Sequence, residues 1–261
     1  MLVFDEKVYA ENILEAKTYN TIKTQGRERC ILARYLTDLG KTPQEIKKVF
    51  SKIPMSGGEY LSDKEKDVIY SKILAKSNEY DFVTGIKVII YKSELEIIEA
   101  LPEEELRCLL FVYLVYYKWA SNVRHLKFYS KKNDVMMVIE NNNDLWKLAG
   151  LSKLRVSERY RLCNQLFNKG LYRIDNFKSH NYIYIPFAKD TGEVAFEISN
   201  YENIVGELLL YERPTDYKRC AVCGVVIKKT RSPKKYCTKC AYKENLRKTK
   251  ENKRGLKTQT V

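Results

Sequence analysis

Residues 220–240 read CAVCGVVIKKTRSPKKYCTKC, and the two Cys-x-x-Cys pairs in that stretch, Cys220/Cys223 and Cys237/Cys240, stand thirteen residues apart. In a Cys-x-x-Cys turn both sulfurs can reach one tetrahedral ion, and two such turns complete a four-thiolate shell. Gly224 suits the tight backbone after the first pair, because glycine takes positive φ without a Cβ penalty. Val225, Val226 and Ile227 predict a short strand leaving the first pair, Ser232-Pro233 a turn, and Tyr236 a strand entering the second. A unit of about twenty residues buries too little apolar surface to fold without its metal. Zn2+ fits the ligand type, count and spacing. Four thiolates leave no open coordination position, so the expected role is structural rather than catalytic.

Two disulfides are the competing reading. Against them, the chain has seven cysteines, an odd number, and Cys30, Cys108 and Cys163 are scattered. Cys108 and Cys163 fall on apolar faces of predicted helices and read as core; Cys30 is left open. The opening Met1-Leu-Val-Phe-Asp-Glu-Lys meets charge at once, so no secretory leader is expected, and the expected compartment is the cytoplasm, where thiols stay reduced. Every apolar run is broken by charge well short of the ~20 residues that a membrane helix needs. The cysteine-rich stretch, residues 216–245, is read as a zinc ribbon followed by a basic tail, 246–261.

The formal charge of +14 is concentrated at this end. Residues 218–257 hold fifteen Lys or Arg against Glu244 and Glu251, a net of +13, which leaves +1 for the other 221 residues. A near-neutral body with a cationic appendage attracts phosphate backbones, and counterion release supplies affinity independent of sequence. Charge runs often only solubilise. Here they sit inside the ribbon (Lys228, Lys229, Arg231, Lys234, Lys235) as well as beyond it (Arg247, Lys248, Lys250, Lys253, Arg254), and all ten are candidate nucleic-acid contacts. No strongly apolar amphipathic segment supports a membrane partner.

Upstream, the pattern is mainly α with small β elements. Residues 1–82 predict a helical module. Thr42-Pro-Gln-Glu45 and Ser62-Asp-Lys-Glu65 are capping boxes, one with proline at the first helical position. In residues 83–212, Gly85–Tyr91 predicts a strand, Ser93-Glu-Leu-Glu96 a third capping box, and Pro102 the start of a long helix carrying Leu106, Leu109, Leu110, Tyr113, Leu114 and Tyr117. Val135–Ile139 predicts a strand. Leu145, Leu148 and Ala149 predict a short helix ending at Gly150. Val156, Tyr160, Cys163 and Phe167 recur as the inward face of a longer helix. Leu171–Ile174 and Asn181–Ile185 predict a two-stranded hairpin around a loop, Asp175–His180. Glu193–Ile198 reads as a strand, Ile204–Leu210 as strand or helix, and Glu212-Arg-Pro214-Thr as a hinge.

Helix, turn, helix and hairpin is the order of a winged helix. The phrase Leu-Ala-Gly-Leu-Ser … Leu-Phe-Asn-Lys-Gly-Leu-Tyr resembles the helix-turn-helix of winged-helix DNA-binding domains, over roughly residues 94–187. Gly150 to Gly170 is about three residues longer than the usual spacing, which puts Lys153-Leu-Arg155 in an extended turn. The resemblance implies that Arg155, Glu158, Arg159, Arg161 and Gln165 face a major groove, and that Lys178 and His180 sit on a wing near phosphate. The lysine-rich composition joined to this architecture resembles replication or regulatory proteins of phages and mobile elements in low-GC Gram-positive bacteria.

No Gly-x4-Gly-Lys-Ser/Thr phosphate loop occurs, and the two histidines, His125 and His180, are 55 residues apart. That removes most nucleotide-hydrolysing, deaminase and histidine-based nuclease readings, and no Ser or Cys nucleophile comes with a base partner. The expectation is a non-enzymatic nucleic-acid-binding protein, with DNA ahead of RNA. Two alternatives stay open: an adaptor or phage-encoded inhibitor that docks on a host protein or nucleoprotein machine, and a metal-dependent nuclease built from dispersed carboxylates.

Overall fold

The computed structural model describes residues 2–19, 24–54, 60–123, 143–177, 180–230 and 234–258, without the side chains of 174–177, 180–183, 250 and 252–258. The predicted strand Val135–Ile139, with His125, Lys178 and Arg231, lies outside the described residues. The described chain is mainly helical, with three small two-stranded sheets.

Four helices come first: α1 (Glu6–Ala16), α2 (Gln25–Asp38), α3 (Pro43–Ser51) and α4 (Asp63–Ser77). Their starts follow from local chemistry. The Asp5 carboxylate accepts from Val8 N at 3.0 Å. Thr42 with Glu45, and Ser62 with Glu65, form the expected reciprocal boxes, with Glu45 accepting from Thr42 N and Glu65 from Ser62 N, each at 2.8 Å. Such caps satisfy N–H groups that a helix start leaves without partners. Ala10, Ile13, Ile31, Leu32, Leu36, Ile46, Phe50 and Tyr70 form one apolar cluster among these helices. Cys30 is buried on α2.

A second cluster surrounds α6 (Glu104–Asn122). Leu109 to Val115 of this helix are all buried, so it is enclosed on every side, which an all-round apolar sequence requires. Around it stand β1 (Val88–Tyr91), α5 (Lys92–Glu99), α7 (Asn143–Leu148), α8 (Val156–Asn168), β2 (Arg173–Phe177), β3 (His180–Tyr184), β4 (Val194–Ile198) and α9 (Ile204–Glu212). β1 pairs antiparallel with β4, and β2 with β3. Phe4 joins this cluster from the N-terminal end. Its ring stacks on Tyr201 at 4.6 Å and meets Trp119 edge-on at 5.1 Å, and its carbonyl accepts from Trp119 Nε1 at 3.1 Å.

Two buried ion pairs stitch the layers together. Arg34 Nε donates to Glu6 Oε2 at 2.9 Å, while Glu6 N donates to Val83 O at 2.7 Å. Lys118 Nζ donates to both Glu94 oxygens, at 2.8 and 3.0 Å, and lies 4.4 Å from the centre of the Tyr91 ring. Burial holds the Lys118 ammonium below its ordinary range against the pull of Glu94.

The structure corrects several expectations. The third capping box is displaced: Glu94, not Glu96, reaches back, accepting from Tyr91 N at 2.9 Å, so α5 starts at Lys92. β1 is shorter than Gly85–Tyr91, beginning at Val88. The loop expected over Asp175–His180 shrinks, because Asp175–Phe177 pair with His180–Tyr182. On α8 the inward face is Leu162, Cys163 and Leu166, whereas Val156, Tyr160 and Phe167 are about half exposed or more. Two apolar stripes interleave on this helix. The position of α6 selects the one containing Leu162 and Leu166, with Cys163 reaching 3.6 Å from the Tyr113 hydroxyl.

Candidate metal centre

At the C-terminal end, β5 (Tyr217–Arg219) pairs antiparallel with β6 (Val226–Lys228), and the first cysteine pair sits at the tip of that hairpin. The turn is closed by Cys220 N donating to Val225 O at 2.8 Å and Gly224 N to Cys220 O at 3.0 Å. Gly224 has φ +73, the conformation expected of it. The second pair opens α10 (Thr238–Thr258). Cys237 precedes the helix and its sulfur accepts from Cys240 N at 3.4 Å, doing the work of an N-cap oxygen.

This arrangement differs from the expected ribbon. Tyr236 is not a strand, since the partner of β6 is Tyr217–Arg219 on its own hairpin, and the second cysteine pair belongs to a helix. The residues read as a basic tail are helical to Thr258. The sequence signal was present: Cys237-Thr-Lys-Cys240 runs without a breaker into residues of good helix propensity.

The four sulfurs lie within 4.8 Å of one another, with Cys223 and Cys237 3.7 Å apart. Cys220 and Cys240 are buried, and Cys223 and Cys237 are more open to solvent. The cluster can hold a metal ion. Burial would raise the Cys220 thiol, yet the backbone N–H groups of Cys223, Cys237 and Val222 outweigh it and hold the thiol down at about 6. Burial and the neighbouring sulfurs push Cys240 up to about 12, and burial raises Cys223. A metal ion takes thiolates rather than thiols, so its entry into this cluster displaces protons.

The hairpin is mounted on α9. Asn203 Nδ2 donates to Val226 O at 2.8 Å, and Arg219 grips the buried Glu207 carboxylate at 2.9 and 2.7 Å. Gly206 permits the contact: a Cβ there would lie 3.0 Å from Val226 Cβ and closer still to the Asn203 amide. Nothing in the sequence pattern marks Gly206 or Glu207 as part of this mount.

The candidate cations divide by partner. Lys228, Lys234 and Lys235 are exposed and form no ion pair among the described residues, and Lys229 donates to Pro214 O at 3.1 Å. Arg247 is braced along its own helix by Glu244 at 2.7 Å and Glu251 at 2.8 Å, and Lys248 lies 3.9 Å from Glu244. Lys250, Lys253 and Arg254 are on α10, their side chains outside the described set.

On α8, Arg155 is exposed and its N–H donates to Glu158 at 2.7 Å. Arg159 turns back onto the body, donating to Ser152 O at 2.7 Å and Asn143 Oδ1 at 2.9 Å, with its guanidinium 5.3 Å from the centre of the Trp146 ring. Arg161 and Gln165 both donate to Glu103, at 2.9 and 3.3 Å. The residues expected to face a groove are therefore largely engaged within the chain.

The class these features define is a mainly helical protein with, at its cationic end, a cluster of four cysteines able to hold a metal ion. No helix among the described residues is long and apolar enough to cross a membrane. Compared with family models, curated proteins and solved structures, the chain matches none.

Proposed function

We propose that the chain is a non-enzymatic nucleic-acid-binding protein in which a structural Zn2+ shapes a cationic surface. DNA is the first candidate ligand, in replication or transcription control of a phage or mobile element. The observation that carries the reading is the coincidence of charge and metal site: residues 218–257 hold +13 of the net +14, and the four sulfurs sit among them. Lys228, Lys234 and Lys235 offer donors with no ion-pair partner among the described residues, and phosphate oxygens are the acceptors such a surface attracts. Tetrahedral four-thiolate ligation favours zinc over harder ions. The helix–turn–helix–hairpin segment α7–α8–β2–β3 would add orientation on a duplex.

Two measurements test this. Elemental analysis should find one zinc per chain, lost in Cys223→Ser and Cys240→Ser; a full equivalent retained in both sinks the four-thiolate site. A mobility-shift series over single- and double-stranded DNA and RNA at two salt concentrations should give salt-sensitive complexes. Absence of binding at the lower salt rejects the nucleic-acid reading.

A second reading has its own support. Val156, Tyr160 and Phe167 leave an apolar stripe exposed on α8 while Arg159 and Arg161 are occupied. That favours a protein partner at this face, as in an adaptor. Pull-down from lysate that persists after nuclease treatment and is abolished by Tyr160→Ala would support it.

A further inference from the structure

The four sulfurs join two pieces of chain that are anchored to different parts of the body. The hairpin carrying Cys220 and Cys223 is fixed to α9 through Val226, Arg219 and Glu207. The start of α10, carrying Cys237 and Cys240, is fixed to α1. Lys239 Nζ donates to Asn12 Oδ1 at 2.7 Å, and Lys243 Nζ to Glu15 Oε2 at 2.8 Å. Lys239 also reaches Glu202, ahead of α9, at 3.2 Å. Between the hairpin and the segment that opens α10, Ala221 N donates to Lys235 O at 3.1 Å, Cys237 N to the Cys220 sulfur at 3.3 Å, and the Cys223 and Cys237 sulfurs meet at 3.7 Å, so the sulfur cluster is the principal tie. A cleft of about 790 Å³ runs along this seam, bordered by Val8 and Asn12 of α1, by Tyr201 and Glu202, and by Val222 and Lys239 of the metal unit.

These connections act in series. Exposed lysine–glutamate pairs hold a helix only weakly by themselves. Once the first turn of α10 is fixed at a metal ion, Lys239 and Lys243 are delivered to their acceptors at high effective concentration, and each grip strengthens the other. α10 has 21 residues, about 30 Å at 1.5 Å per residue. A change of angle at its base therefore displaces its charged end by many ångströms.

We propose that metal binding closes a clasp between α1 and α10, locking Lys239 and Lys243 onto Asn12 and Glu15 and so fixing the direction in which the cationic helix leaves the body. The clasp rests on the metal reading of the cysteines, and its test keeps the two separable. Full-length protein is loaded with one Zn2+ per chain, stripped with a strong chelator with metal loss verified, and each form is treated with a zero-length carbodiimide cross-linker and peptide-mapped. The Glu15–Lys243 and Glu202–Lys239 links should fall roughly fivefold or more on stripping and return with Zn2+, as reciprocal coupling demands. Glu15→Gln with Asn12→Ala, both on the surface of α1, should weaken zinc affinity roughly two- to tenfold in chelator competition. Glu45→Gln, remote on α3, should leave it unchanged. A chain that binds no metal overturns the reading of the cysteines and the clasp with it. Full metal binding, with links unchanged on stripping or affinity unchanged in the α1 variant, overturns the clasp alone.

Discussion

Replacing Lys228, Lys234 and Lys235 with glutamine removes three exposed cations without breaking an ion pair among the described residues. If all three meet duplex phosphates, the slope of log Kobs against log[salt] becomes shallower by about 0.9 for each charge, about 2.7 in total. At 0.15 M salt that loss corresponds to roughly a hundredfold in affinity, from counterion release alone. The matched control is Lys41, Lys47 and Lys66 to glutamine. It makes the same change in net charge on α3, just before its cap and on α4, where the lysines face Glu45, Asp67 and Asp63. Fluorescence anisotropy with a labelled oligonucleotide duplex at four or more salt concentrations reads both slopes. The appendage triple should flatten the slope and the control should leave it. Equal slopes in the two triples would refute a localised phosphate-binding surface, because net charge alone would then account for binding.

Three further outcomes test the structure. Leu166→Ala should destabilise by about 2–5 kcal/mol, as a buried leucine truncation does, while Tyr160→Ala should stay within about 0.5 kcal/mol; urea unfolding showing the reverse order would restore the other face of α8 as the inward one. Alanine for glycine inside a helix ordinarily gains about 0.5–1 kcal/mol, but Gly206→Ala should lose roughly 1–3 kcal/mol by pushing β6 off α9, read as a lower thermal midpoint and a loosened hairpin in amide exchange. Ser62→Ala should cost about 1 kcal/mol at pH 7. The Ser62 hydroxyl and N–H hold the Glu65 carboxyl below its ordinary 4.5, so the share of the stabilisation that the hydroxyl gains from the carboxylate is complete above that value and fades as pH falls through the depressed one, while the hydroxyl's bond from Glu65 N persists. A gap between the denaturant midpoints of wild type and variant that does not narrow on acidification would contradict the assignment.

The buried Glu94–Lys118 pair shows how much of the fold is hidden from local pattern. Glu94 is fully buried and also accepts from Lys189 N at 2.7 Å. In the sequence it is one more glutamate within a charged helix start, indistinguishable from Glu96. The same limit explains α8, where Val156/Tyr160/Phe167 and Leu162/Leu166 are both acceptable helical stripes. It explains the four-cysteine unit too, where the spacing suggested a strand at Tyr236 but the partner of β6 is Tyr217–Arg219, before Cys220. Each choice depends on what packs opposite, which residues far apart in the chain supply.

What the chain alone determined is chemistry that a few neighbouring residues carry: two Cys-x-x-Cys pairs able to share an ion, two capping boxes that start α3 and α4, the mainly helical class, and a charge gathered at one end. These are set by spacing and by side chains acting on their own backbone within one turn. Only the tertiary structure decided that the second cysteine pair caps a helix and that Gly206 and Glu207 seat the hairpin. It alone revealed that α1 reaches across to Lys239 and Lys243, and that Arg159 and Arg161 of α8 are engaged by partners within the chain. These contacts join residues up to 228 positions apart, and burial, sterics and competing acids at those contacts have no periodic trace in the sequence.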